Sequence, residues 1–209
     1  MTTLSHTGPA GGVPPTGPLP GFGDPVQDAQ GVFRAVLDAM ARPGTIHDLA
    51  LGIEAPAPLS AGSAAVLMAL ADFETPVWLD GAAESAEAAA HLRFHCGCPL
   101  ASEPAEAVFA LVAGPALMPP LSAFAVGTEE YPDRSCTVIV QVASLAAGAG
   151  WVLTGPGIRD RASLRVGGLP PAFAGWVRDN HAGFPLGVDL VFTCGGRIAA
   201  LPRSTRIGE

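Results

Sequence analysis

Val188-Asp189-Leu190-Val191-Phe192-Thr193-Cys194-Gly195-Gly196-Arg197-Ile198-Ala199-Ala200-Leu201 is the stretch on which the fold turns. Two apolar runs of strand length flank a glycine pair, and a two-residue glycine loop is a strong hairpin signal. The chain therefore closes on antiparallel strands. Upstream, Thr137–Val142 is a β-branched run of the kind found in strands buried on both faces. Thr45–Leu49, Pro76–Leu79, Ala107–Val112 and Trp151–Thr154 also read as strands, whereas Leu92–His95 is open between helix end and strand.

Helices alternate with these strands. Asp24 is a good N-cap, Pro25 suits the first helical position, and Val26, Ala29, Phe33, Val36, Leu37 and Met40 recur at helical spacing. Arg42-Pro43-Gly44 stops that helix, with the arginine at its negative end. Ser60 caps a second helix running to Asp72, apolar nearly all round and hence buried. Ala83–Ala90, a short turn of helix at Pro120–Val126, and Phe173 to about Asn180 complete the set. The expected fold is α/β, with a mixed sheet covered by helices.

Residues 1–23 hold six glycines, five prolines and no Asp, Glu, Lys or Arg. Such a segment buries too little apolar surface to offset its ordering entropy, so a disordered leader is expected over 1–23 and one domain over 24–209. The N-terminus has neither a basic nor an apolar signal region, the apolar runs are strand-sized, and four cysteines make no disulfide scaffold. A cytoplasmic protein is the natural expectation.

The chain carries 14% charged residues and a formal net charge of −8, which argues against a general nucleic-acid binder. So little charge leaves two accounts of the surface: partners cover it, or small uncharged residues solubilise it. All 11 basic residues are arginine. Without a lysine there is no internal aldimine with pyridoxal phosphate and no Walker-type grip on a phosphate. No nucleophile elbow, HExxH or dinucleotide fingerprint occurs either.

Three clusters remain as candidate chemistry. His91, His95, Cys96 and Cys98 are ligand types, but their spacing fits no usual structural zinc pattern, so no metal is expected. Thr154-Gly155-Pro156-Gly157-Ile158-Arg159 follows a strand and can form an anion nest beside Arg159 and Arg161, although Pro156 lacks an amide hydrogen and a tight turn explains the composition equally. Arg203-Ser204-Thr205-Arg206 can bind a phosphate or be a solvated tail. The candidate ligand-binding set is Arg159, Arg161, Arg203 and Thr205. Asp189, an acid in an apolar run, is either exposed at an edge or paired with an arginine.

An ordered series of short stretches resembles one family. Asp24-Pro25-Val26-Gln27-Asp28-Ala29-Gln30, Phe33-Arg34 and Met40-Ala41-Arg42-Pro43-Gly44 resemble the opening of PhnH, a subunit of the bacterial carbon–phosphorus lyase core. The likeness continues through Leu70-Ala71-Asp72, Thr75–Leu79, Leu92–His95, Gln141–Leu145 and Leu153–Ile158. It is strongest at Phe184–Leu190, Thr193–Gly195 and Leu201–Thr205. The resemblance implies a three-layer α/β/α fold, resembling pyridoxal-phosphate-dependent transferases but without the cofactor site, and no cofactor. It implies a complex with PhnG, PhnI and PhnJ that forms alpha-D-ribose 1-methylphosphonate 5-triphosphate from ATP and methylphosphonate in phosphonate catabolism. This subunit would pair with PhnJ and form a homodimer when isolated, in a structural or accessory role. The nucleosidase-like step is attributed to PhnI and the iron–sulfur cluster to PhnJ, so Cys96, Cys98, Cys136 and Cys194 are not its ligands. No catalytic residue carries over. The alternative is a stand-alone binder or enzyme for a small phosphorylated ligand held by arginines.

Overall fold

The computed structural model describes residues 18–49 and 52–208. Helix α1 spans Pro25–Ala41, and the Asp24 carboxylate accepts from the amides of Val26 and Gln27 at 3.1 Å each. Strand β1 (His47–Asp48) follows, then α2 (Ala61–Leu70), with Ser60 Oγ accepting from Ser63 N. Next come β2 (Val77–Leu79), α3 (Ala86–Cys96) and β3 (Phe109–Val112). Leu92–His95 is thus helical, and α3 ends at Gly97, whose φ of 68° is left-handed. A 3-10 turn at Leu121–Ala123 stands where a short helix was expected. Strands β4 (Thr137–Gln141), β5 (Ser144–Thr154) and β6 (Ala162–Gly167) precede α4 (Phe173–Ala182). The chain closes on β7 (Asp189–Cys194), β8 (Arg197–Leu201) and β9 (Arg206–Gly208).

The main sheet has six strands in the order β1-β8-β7-β4-β3-β2. Strands β2, β3, β4 and β7 run parallel, while the hairpin turns β8 antiparallel to β7. Side chains alternate faces along each strand. Val138, Val140, Leu190, Phe192, Ala199 and Leu201 enter one apolar cluster, and Ile139, Val191, Ile198 and Ala200 the other. Helices α1, α2 and α3 cover the second face. The first is covered by α4, the Leu121 turn and a separate sheet ordered β6-β5-β9. The third layer is therefore a helix plus a small antiparallel sheet, rather than helices alone.

Two expectations shift. The leader was drawn through residue 23. Residues 1–17 lie outside the described residues, but Pro18–Gly23 pack on α3: His95 Nε2 donates to the Leu19 carbonyl at 2.9 Å, and Phe22 is half-buried against the core. The face of α1 also differs. Val32, Val36 and Ala39 are buried, whereas Val26, Phe33 and Leu37 are exposed by 71%, 48% and 56%. The apolar arc of this helix is wider than the ≳100° stripe that one core contact needs, and the sheet takes only part of it.

No helix among the described residues is long and apolar enough to cross a membrane. The loop after β5 is wedged under the end of α1. A Cβ built on Gly157, whose φ is +79°, would lie 2.0 Å from the Ala41 carbonyl oxygen. Gly157→Ala is expected to cost more than about 2 kcal/mol, from the backbone conformation and the collision together. Urea unfolding of the variant against the parent measures this.

Candidate functional site

In many parallel sheets ligands bind beyond the carboxyl ends of the strands. Here the middle of that end is filled by the chain itself, while beside β2 a cleft of about 560 Å³ remains, lined by Leu79, Gly81, Glu84 and Arg93 among others. Asp80, just after β2, is 6% exposed and accepts from Ala83 N, Ala113 N and Gly114 N at 2.7, 3.1 and 2.9 Å. Gln141 accepts from Ser60 N and donates to the Pro58 carbonyl. Ser63 and Thr193 share a buried hydroxyl pair at 2.7 Å, and Gly62 N donates to the Gly195 carbonyl.

A second polar cluster with cleft space around it lies at the opposite end, where β7 begins and β8 finishes. The hairpin brings Asp189 opposite the residues just past Leu201, because Leu190 pairs with Leu201. Arg203 Nη2 meets Asp189 Oδ2 at 2.6 Å, while Arg203 Nε and its own backbone amide donate to Oδ1 at 3.2 and 2.9 Å. Nη1 donates to the Pro132 carbonyl at 2.6 Å, and Nη2 also reaches the Ser135 hydroxyl. Only 14% and 20% of the two side chains is exposed. Of the two readings open for Asp189, pairing with an arginine is the one the structure adopts. The guanidinium spends its fork on this bond, so Arg203 joins three segments and has few donors left for a ligand.

His181 secures the same turn. Its Nδ1 lies 3.0 Å from the Arg203 carbonyl, which only accepts, so Nδ1 carries the proton. Nε2 is then free to accept from Arg206 Nε at 2.9 Å. Thr205 is 1% exposed and its hydroxyl has no partner among the described residues, so it sits inside the packing rather than in a cleft wall. Arg206 begins β9, which pairs with β5, so the supposed tail is built into a sheet. Arg159 and Arg161 are exposed on the turn between β5 and β6, and no hydrogen bond or ion pair joins them to Arg203. Gly155 and Gly157 there serve close packing against Ser204 and Ala41.

Two clefts flank the ion pair. One, about 380 Å³, lies between Leu37, Met40 and Ala41 of α1, Pro156-Gly157 and Pro202; the other, about 340 Å³, is lined by Pro132, Phe184, Pro185 and Ser204. The stretches Met40–Gly44, Leu153–Ile158, Phe184–Leu190 and Leu201–Thr205, far apart in sequence, all converge here. Sequence reasoning missed that convergence, although the acid at the head of an apolar strand was a usable signal.

The His91 cluster resolves differently. His91 is fully buried with both ring nitrogens unpartnered among the described residues, and its ring centroid is 4.4 Å from that of His95. Burial first, and the neighbouring His95 second, hold its pKa below the usual 6.5. The hydrogen bond between the Cys96 and Cys98 thiols, joined by burial, raises Cys96, and the same bond lowers Cys98 against the opposing effect of burial. Burial pushes Cys136 up to about 12. Among the described residues no three His, Cys, Asp or Glu side chains converge to hold a metal ion.

Two outcomes are expected. Arg203→Met leaves a nearly buried carboxylate alone and is expected to cost about 3 kcal/mol, while the Arg203→Met, Asp189→Leu double variant recovers most of it. A double-mutant cycle in denaturant checks the coupling. For His91, the unfolded chain binds its proton near pH 6.5 and the folded chain only below that, so stability falls as pH drops through 6.5. His91→Phe should lose that part of the acid sensitivity, read as Tm at pH 7.5 and 5.5 for variant and parent.

Residues 20–208 match the family model described as bacterial phosphonate metabolism protein (PhnH). The chain is 41% identical over 186 residues to the alpha-D-ribose 1-methylphosphonate 5-triphosphate synthase subunit PhnH of Rhizobium meliloti (strain 1021), covering 89% of this chain and 93% of that protein. It is also 40% identical over 84 residues to the putative C-P lyase subunit protein HtxG of Stutzerimonas stutzeri, covering 39% of this chain and 42% of that one. The match to the Rhizobium protein runs nearly end to end, so this chain, with its Asp189–Arg203 junction and its hairpin-closed sheet, belongs to the PhnH family of bacterial phosphonate metabolism proteins.

Proposed function

We propose that this protein is a subunit of the carbon–phosphorus lyase core complex, required with its partners to form alpha-D-ribose 1-methylphosphonate 5-triphosphate from ATP and methylphosphonate. The observation that carries the reading is the 41% identity across 93% of a relative named as a subunit of that synthase. Its role is structural or accessory. Arg203, the strongest anion-binding candidate in the sequence, is committed to Asp189, Pro132 and Ser135, and so supports the fold rather than a substrate. The partners are PhnG, PhnI and PhnJ in the cytoplasm, and the isolated chain forms a homodimer. Exposed apolar side chains on several elements, including Phe33 and Leu37 of α1, Phe73, Phe94 and Leu117, support a protein made to be covered. The fold is one domain of the kind resembling pyridoxal-phosphate-dependent transferases, with no lysine to hold that cofactor.

A second reading rests on Arg159 and Arg161, whose exposed guanidinium groups have no partner among the described residues. Together with Arg203 and Thr205 they would make the chain a binder of small phosphorylated ligands.

Co-expression with PhnG, PhnI and PhnJ tests the first reading: the chain should elute with all three, and a chain that never joins them defeats it. Calorimetry of the isolated protein with ATP and with methylphosphonate tests the second. Silence with both is the expected result.

A further inference from the structure

A cleft of about 290 Å³ lies between α4, the Leu121–Ala123 turn and the Gly183–Gly187 loop, apart from the Asp189–Arg203 junction. Pro120, Leu121, Val126, Trp176 and Leu186 supply mostly apolar walls. The side-chain amide of Asn180 lines it but is spent on Val188, donating to its carbonyl at 2.9 Å and accepting from its amide at 2.8 Å. The Asp179 carboxylate is the charged group left, and it has no hydrogen bond or ion pair among the described residues. Leu117, three residues before Pro120, is 94% exposed, and Phe184, inside the loop, is 58% exposed.

The combination specifies an occupant by its chemistry. An indole and a free carboxylate lining one apolar cleft suit a planar cation on a hydrocarbon stem, since a guanidinium can pack on the ring and fork to the carboxylate while its methylenes cover Leu121 and Leu186. At about 290 Å³ the cleft lies at the low end of the ~300 to 1,000 Å³ of small-molecule sites and has room for one long side chain. The flanking Leu117 and Phe184 add apolar surface of the kind that surrounds a docked anchor. A second copy of this chain would bring another net charge of −8 toward an acidic socket, which disfavours self-association there.

We propose that this cleft is a docking socket for an arginine of a different polypeptide subunit, presented beside an apolar residue that packs on Leu117 or Phe184. The inference rests on the reading of the chain as a complex subunit, and deepens it by assigning a face and a recognition chemistry.

Purified full-length protein is titrated into the co-expressed PhnG, PhnI and PhnJ assembly, with binding followed by biolayer interferometry. Asp179→Lys is expected to weaken binding at least about tenfold and Asp179→Glu to leave it within about threefold, as a charge pair desolvated in an interface requires. Asp160→Lys, which makes the same charge change at an exposed position outside the cleft, should bind like the parent. Trp176→Ala should also lose binding, but Trp176 packs on Phe173, so its melting temperature is measured alongside. The exposed Asp179 keeps the test independent of folding. Asp179→Lys binding as tightly as the parent overturns the socket and leaves the subunit reading intact. Parent protein that does not bind overturns both. An Asp179→Lys variant that loses only the isolated homodimer overturns the choice of a different subunit in favour of a second copy.

Discussion

Burial of the central strands on both faces is the constraint from which the rest follows. In β4 and β7 the alternating residues Val138, Ile139 and Val140, against Leu190, Val191 and Phe192, are all sealed from water. A parallel core of this kind needs a layer on each side, and the two layers are made differently. Helices α1, α2 and α3 form one; α4 and the β6-β5-β9 sheet form the other. Burying the backbone this deeply also demands that every loop at the strand ends be satisfied internally. Asp80, Gln141 and the Ser63–Thr193 pair do that at the carboxyl ends, and Asp189 with Arg203 does it at the other.

That accounting has a functional consequence. The groups that first suggest chemistry in a sequence are acids, arginines and hydroxyls in apolar surroundings, and here most of them are consumed by the fold. Arg203 is the clearest example, since its guanidinium and amide donate three times to Asp189 and once each to Pro132, Pro185 and Ser135. His91 and the Thr205 hydroxyl are buried exceptions without a partner among the described residues, and the surface keeps the apolar face of α1, Leu117 and Phe184 beside the Trp176 cleft, and the Asp179 carboxylate. A molecule that spends most of its buried polar groups on its own fold and keeps a generous apolar surface is physically suited to assembly.

Local signals in the chain were readable to different depths. The start of α1 was visible in Asp24-Pro25, and its end in Pro43-Gly44, because caps act over three or four residues. Its buried face was misplaced. Periodicity shows that Val26, Phe33 and Leu37 are apolar, but not which part of a wide arc the sheet will cover. The first half of β5, Ser144–Gly150, is alanine and glycine from Ala146 on and carries no β-branched signal. Strands β6 and β9 went unread for a related reason: they hold their place by pairing with β5, a long-range contact without a local composition. His91 was noticed as a possible ligand, but only packing reveals a buried imidazole with neither nitrogen engaged.

The sequence by itself determined the α/β class, the closing hairpin at Gly195-Gly196, the exclusion of lysine chemistry and, through an ordered series of short stretches, the family. Those depend on composition and on neighbours a few residues apart. Only the tertiary structure decided that Asp189 pairs with Arg203, that the C-terminal segment is a strand, and that Asp179 stands free in an apolar cleft. Each depends on which distant segments meet, and that is set by how the sheet is ordered and covered rather than by any residue's own preference.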